Sequence, residues 1–174
     1  MKNYLASLFL MMPFYQIANA QNKSTSTVVT FEKTFGGKNY DVGNSVQQTS
    51  DGGYIITGGT RSSETELDDV YLIKTDANGN PIWTKTYGGS NSETGATIQL
   101  TIDGGYIIVG TTSSFGINPG FFGGDVYLIK TNANGDIAWS KTYGGTNLDG
   151  GSSLLQTIDG GYIVAGSTWS FGAG

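Results

Sequence analysis

Asp69-Val-Tyr-Leu-Ile-Lys-Thr-Asp-Ala-Asn-Gly-Asn-Pro-Ile-Trp-Thr-Lys-Thr-Tyr-Gly-Gly89 decides the fold, because the chain contains it twice. It returns 56 residues later as Asp125 to Gly145, altered only at Asn132, Asp136, Ile137, Ala138 and Ser140. Working outward, Asp-Gly-Gly-Tyr begins at Asp51, Asp103 and Asp159, and Thr-[Phe/Tyr]-Gly-Gly begins at Thr34, Thr86 and Thr142. Both series step by 52 and then 56, so a unit of just over fifty residues recurs and one copy carries a four-residue insertion. A period in that range points to a propeller or another repeat array, in which each unit buries its apolar face only against its neighbours.

Within a unit, Val, Ile, Thr, Tyr and Trp gather into short runs separated by Gly, Asn and Asp, which is the strand-and-turn pattern. Four strands are expected in the first unit: Asn44 to Thr49, Tyr54 to Thr60, Val70 to Thr75 and Pro81 to Tyr87. Asp51-Gly52 and Asn78-Gly79 fall between them, and Asx-Gly pairs reach the positive φ that tight hairpins need. Tyr54-Ile55-Ile56 and Tyr71-Leu72-Ile73 are apolar on successive positions, so both faces of the sheet must be covered. The expected fold class is all-β: a β-propeller of four-stranded antiparallel blades of about 52–56 residues.

The strings Asp-Gly-Gly-Tyr-Ile-[Ile/Val]-x-Gly, Ser-Phe-Gly and Asp-Val-Tyr-Leu-Ile-Lys-Thr-[Asp/Asn]-Ala-Asn-Gly-[Asn/Asp]-x-x-Trp resemble the bacterial SBBP β-propeller repeats. They are closer still to relatives of those repeats in large exported surface proteins. The resemblance spans residues 29 to 174 and implies a propeller without shared catalytic residues. Gly79 to Trp83 matches the spacing of quinone-enzyme propeller repeats, but Ile73, Thr75 and Asn78 stand where that repeat has Ala, Asp and Thr. Sialidase-type Asp boxes space their Asp, Gly and Trp differently from Asp76, Gly79 and Trp83.

Aligning the units divides the chain. Residues 1–20 read as a signal peptide, with Lys2, an apolar run from Leu5 to Phe14 and a small-x-small site at Ala18-Asn19-Ala20. Residues 21–28 read as a short linker and 29–35 as a leading outer strand, since Phe31 lies 52 positions before Trp83. The first blade is expected at 36–87, the second at 88–143 and a partial third at 144–174. Ending on Ser-Phe-Gly-Ala-Gly, where the preceding unit runs on into Asp125, reads as truncation of a longer frame, or as a chain whose ring closes by self-association.

Composition narrows the chemistry. Cys and His are both absent, so there is no thiol nucleophile, no Ser-His-Asp arrangement and no imidazole metal ligand. Without Lys2 the 9 basic residues become 8 against 14 acidic ones, a net charge of −6 that disfavours nucleic acid. No transmembrane segment is expected in the mature chain, which reads as exported to the extracellular space or cell surface, with the periplasm as an alternative. Asp76 to Asn80 and Asn132 to Asp136 alternate oxygen-bearing residues but lack the Gly and Glu positions of a calcium loop, so they read as turns. No metal or cofactor is expected.

Two carboxylates suffice to hydrolyse a glycoside, and Glu64, Glu66, Asp68, Glu93 and Asp149 read as non-repeated loop acids. Solvated surface is the plainer reading of them. Alternate connections of a meander lie at opposite ends, so the long variable loops share one face. That face carries Tyr40, Phe115, Phe121, Phe122, Trp169 and Phe171, aromatics suited to sugar rings or a protein surface. Phe115 and Phe171, in register, also read as plugs that hold the loop onto the blade. The expectation is a non-catalytic module for binding, adhesion or scaffolding, with an unidentified protein or glycan as partner; the alternatives are a glycosidase-like enzyme and a structural spacer.

Overall fold

The computed structural model describes residues 31–61, 67–117, 119–120 and 124–171; the expected signal peptide and linker lie outside them. The described residues form ten strands and no helix. Strands β1 (Asp41–Gln48), β2 (Tyr54–Thr60), β3 (Asp69–Thr75) and β4 (Pro81–Tyr87) make one antiparallel sheet in sequence order. A second is built the same way from β5 (Glu93–Leu100), β6 (Tyr106–Thr112), β7 (Asp125–Thr131) and β8 (Ile137–Tyr143). A third holds only β9 (Asp149–Gln156) and β10 (Tyr162–Thr168), and none of the three closes on itself. With no helix among the described residues, none is long and apolar enough to cross a membrane.

Three of the four strands expected in the first unit lie within a residue of their observed positions. The first begins earlier, at Asp41 rather than Asn44, because Asp41, Val42 and Gly43 pair with Thr60, Gly59 and Gly58 before a bulge at Asn44. The bulge recurs at Ala96 and at Ser152. Asp-Val-Gly has little of the composition of a strand, so only the pairing reveals it.

Successive apolar residues face opposite ways, as the period of two requires. Ile98, Ile108 and Ile129 of the second sheet join Ile55, Val70, Leu72 and Tyr87 of the first in one core. Ile107, Val109 and Leu128 turn the other way and join Leu154 of the third sheet. The second sheet is thus covered on both faces, each buried aliphatic side chain contributing about 1.5–3 kcal/mol. Leu155 and Ile163, on the third sheet, are exposed.

Aromatic rings fill the junctions in register. Trp83 packs on Tyr106 (6.2 Å between centroids), Trp139 on Tyr162 (5.9 Å) and Phe31 on Tyr54 (5.8 Å). Residues 31–35 pair with no strand among those described, yet Phe31 takes toward the first sheet the place Trp83 takes toward the second. Polar straps accompany the rings: Gln47 Oε1 accepts from the Leu100 amide (3.1 Å), and Gln99 Oε1 accepts from the Gln156 amide (3.0 Å).

An ion pair between a buried lysine and an exposed aspartate ties each complete sheet together. The Lys74 ammonium, on β3, donates to Asp51 (2.8 Å) and to the Thr75 carbonyl (2.9 Å); Lys130 does the same with Asp103 (2.9 Å) and Thr131 (2.8 Å). Gly53 and Gly105 make room for the lysine: a Cβ there would lie 2.1 Å from the Thr75 or Thr131 carbonyl oxygen. Asp51, Asp103 and Asp159, read from sequence as turn formers, do form turns, each accepting from the amide two residues on. In the two complete sheets the same carboxylate also neutralises a charge.

Candidate functional site

In each unit the tight turns lie at one end of the strands and the long connections at the other. At the tight end the Asx side chains turn inward. Asp76 Oδ1 accepts from the amides of Asn78 and Asn80 (both 2.8 Å), and Asn132 Oδ1 accepts from those of Asn134 and Asp136 (both 2.9 Å). These oxygens hold a hairpin in shape.

The long-connection end is built from a clamp that recurs at every unit. The side-chain amide of Asn39 donates to the carbonyl of Arg61 (3.3 Å), Asn91 to Ser113 (3.2 Å) and Asn147 to Trp169 (3.2 Å). The backbone amide of Arg61 donates to Tyr40 (2.8 Å), Ser113 to Ser92 (2.9 Å) and Trp169 to Leu148 (2.9 Å). Two loops are therefore locked side by side with the same bonds each time. The side chains displayed at that lock are different each time: Tyr40 and Arg61, Ser92 and Ser113, Leu148 and Trp169.

Below the clamp sits a carboxylate. Asp41 accepts from the Gly37 amide (2.8 Å), Glu93 from Gly89 (2.7 Å) and Asp149 from Gly145 (2.8 Å). Glu93 and Asp149 are buried, contrary to their reading as solvated and non-repeated acids: with Asp41 they are one position at the 52 and 56 spacing. Glu93 also accepts from Thr112 Oγ1 (2.8 Å), and Asp149 from Ser170 Oγ (2.6 Å), whose bond holds the Asp149 carboxyl at about 2. A second acid, Asp69 or Asp125, meets it across Gly88 or Gly144. A Cβ on Gly88 would lie 1.8 Å from Asp69 Oδ1 and 2.9 Å from Glu93 Oε2, so the carboxylates close on the glycine.

Tyr40 is exposed, with the Arg61 guanidinium 5.8 Å from its ring centroid, and Arg61 is held by both oxygens of Asp68 (2.8 and 3.2 Å). That pairing pushes Arg61 further into its charged form. Among the described residues, Trp169 is the most exposed of the expected aromatics, at 79%. Phe115 packs on Tyr127 (5.5 Å) and lies over Gly89, while Phe171 lies over Gly145, both anchoring the loop yet still partly open to solvent. Phe121, Phe122, Glu64 and Glu66 lie outside the described residues. Sequence reading missed Arg61, Ser92, Ser113, Leu148 and the Asn clamp; the spacing of Asn39, Asn91 and Asn147 was the available signal.

No protein-family model matches the chain, and no curated protein matches it.

Proposed function

We propose that the chain is a β-propeller segment of an exported bacterial protein whose long-loop face binds a protein or glycan, outside the cell or at its surface, without catalysis of its own. The observation that carries this reading is the clamp: identical bonds at three units present Tyr40 and Arg61, Ser92 and Ser113, then Leu148 and Trp169. A constant frame with changing tips is how rigid scaffolds carry recognition. Tyr, Trp and Arg at such tips bring large contact area for little lost side-chain entropy. The stacking of each first strand on the preceding sheet, with β5 against β1 to β3 and β9 against β5 to β7, supports the propeller reading.

The candidate glycosidase acids among the described residues are otherwise engaged. Asp68 holds Arg61, while Glu93 and Asp149 hold the Gly-Gly turns, so the binding reading is the stronger one. The test is a screen of the purified chain against oligosaccharides and surface proteins, repeated with Tyr40→Ala and Trp169→Ala. A hit that weakens about ten-fold or more in either variant supports the loop face. A hit indifferent to both, or release of sugar from a glycan, overturns it.

A further inference from the structure

In a repeat array, a bond that recurs at every unit serves the fold, and a residue that breaks the repeat is free to serve the one unit that carries it. Three such residues converge at the first clamp. Tyr40 stands where the later units have Ser92 and Leu148, Arg61 where they have Ser113 and Trp169, and Asp68 where the second has Gly124. Arg61 is the only arginine in the sequence. Their side chains meet nonetheless: the Arg61 guanidinium donates from Nε (3.2 Å) and Nη2 (2.8 Å) to the two oxygens of Asp68, and it lies 5.8 Å from the centroid of the Tyr40 ring.

The backbone beneath them is not special to this unit. The Tyr40 carbonyl accepts from the Arg61 amide (2.8 Å), the Arg61 carbonyl accepts from Asn39, and the Asp68 carbonyl accepts from the Glu93 amide (2.6 Å), as Gly124 does from Asp149 (2.6 Å). The recurring frame therefore fixes where the three residues stand, and only their side chains are individual. A surface ion pair contributes little to stability, and the same frame bonds form in the second unit without one. The fold does not require this group.

Within the pair the charges cancel, yet hydrogen-bonding capacity is left over. The guanidinium carries more N–H donors than Asp68 uses, and the carboxylate more lone pairs than Arg61 fills. Both Arg61 and Tyr40 reach solvent, their exposures being 47% and 55%. A carboxylate arriving at Arg61 meets Asp68, and an ammonium arriving at Asp68 meets Arg61, so a charged ligand loses at one partner what it gains at the other. Sugar hydroxyls both donate and accept, so two adjacent hydroxyls of a neutral pyranose bridge the pair while its C–H face lies on the open tyrosine ring. We infer that Tyr40, Arg61 and Asp68 form a sugar subsite for an uncharged pyranose that presents two adjacent hydroxyls. This rests on the reading of the long-loop face as a binding surface and narrows its partner to a neutral glycan.

Isothermal titration calorimetry of the full chain with mannotriose, cellotriose and xylotriose, and with trigalacturonate as the charged control, tests it. Saturable binding of a neutral trisaccharide is expected, about ten-fold tighter than trigalacturonate and unchanged between low and high salt. Tyr40→Ala should weaken it about ten-fold. Asp68→Asn leaves the Arg61 charge unopposed, so that variant should bind trigalacturonate about ten-fold tighter than the parent does while losing affinity for the neutral sugar. An ion pair with a merely structural role would show neither change. The altered side chains reach solvent, and thermal melts of both variants should match the parent. No binding of the neutral trisaccharides, equal affinity in the variants, or a parent that prefers trigalacturonate would each overturn the inference. The loop-face reading outlives that result if a screened surface protein binds more weakly to Tyr40→Ala or Trp169→Ala, and falls with it if none does.

Discussion

The second and third sheets start from nearly the same sequence and end in different environments. Ile107 and Ile163 occupy the same position of Asp-Gly-Gly-Tyr-Ile, yet Ile107 is fully buried and Ile163 is 60% exposed. The residue type did not change; its neighbours did. Ile107 lies between two sheets, with Leu154 and Val164 belonging to the third, whereas no sheet among the described residues covers the outer side of Ile163. In a repeat array a pattern specifies a unit, while stability belongs to the interface between units.

That difference can be broken most forcefully at the isoleucines. Ile107→Ala should destabilise the chain by about 2–5 kcal/mol, since it removes methyl groups from a packed interior and leaves a cavity. Ile163→Ala should change stability by less than about 0.5 kcal/mol. Urea unfolding followed by circular dichroism reads both. Similar losses at the two positions would mean that Ile163 is covered in solution.

Strand placement was legible because β-branched runs and Asx-Gly turns repeat at 52 and 56 residues, and local physics alone makes Tyr54–Thr60 or Asp69–Thr75 a strand. The aromatic packing was legible too, since Phe31, Trp83 and Trp139 share a register. The clamp and its acids were harder. Asn39, Asn91 and Asn147 sit among Gly and Ser and read as turn formers, and the carboxylate position alternates Asp41, Glu93, Asp149, which hides its recurrence. The ion pair of Lys74 with Asp51 joins residues 23 apart and that of Lys130 with Asp103 residues 27 apart, so a fixed-spacing search misses it. These features depend on which side chains meet across strands, and hydrophobic period carries no information about that.

The ion pair sharpens the comparison through pH. In the second sheet the Thr101 hydroxyl and the Lys130 ammonium hold the Asp103 carboxyl at about 2, below its ordinary value. A carboxyl whose folded-state value is depressed adds stability that is complete above the unfolded value of about 4 and is lost as pH falls toward 2. Asp103→Asn should therefore remove about 1 kcal/mol at neutral pH, a modest figure because the Asp103 side chain is 66% exposed and water screens the pair. It should also flatten the decline in stability between about pH 4 and 2. Asp159→Asn, with no described lysine to lose, should cost less than Asp103→Asn and leave the Lys130-linked slope at the parent value. Urea midpoints at pH 5, 3 and 2 separate the two variants, and a matching loss in Asp159→Asn would show that the turn, rather than the lysine, is what the carboxylate serves.

The smallest contrast falls on a single hydroxyl. Tyr87 OH is buried against the Gly135 carbonyl, and burial raises its ionisation well above that of a free phenol. Tyr87→Phe should cost about 1 kcal/mol, because the ring still fills its place while the Gly135 carbonyl loses its donor away from water. Tyr143→Phe should leave stability unchanged, since Tyr143 stands half open to solvent. Spectroscopic titration checks the burial without a mutation: the buried phenol should ionise only as the fold gives way in alkali. A loss in Tyr143→Phe equal to that in Tyr87→Phe would mean that Tyr143 is already covered in solution, as it would be if copies of the chain associated through it.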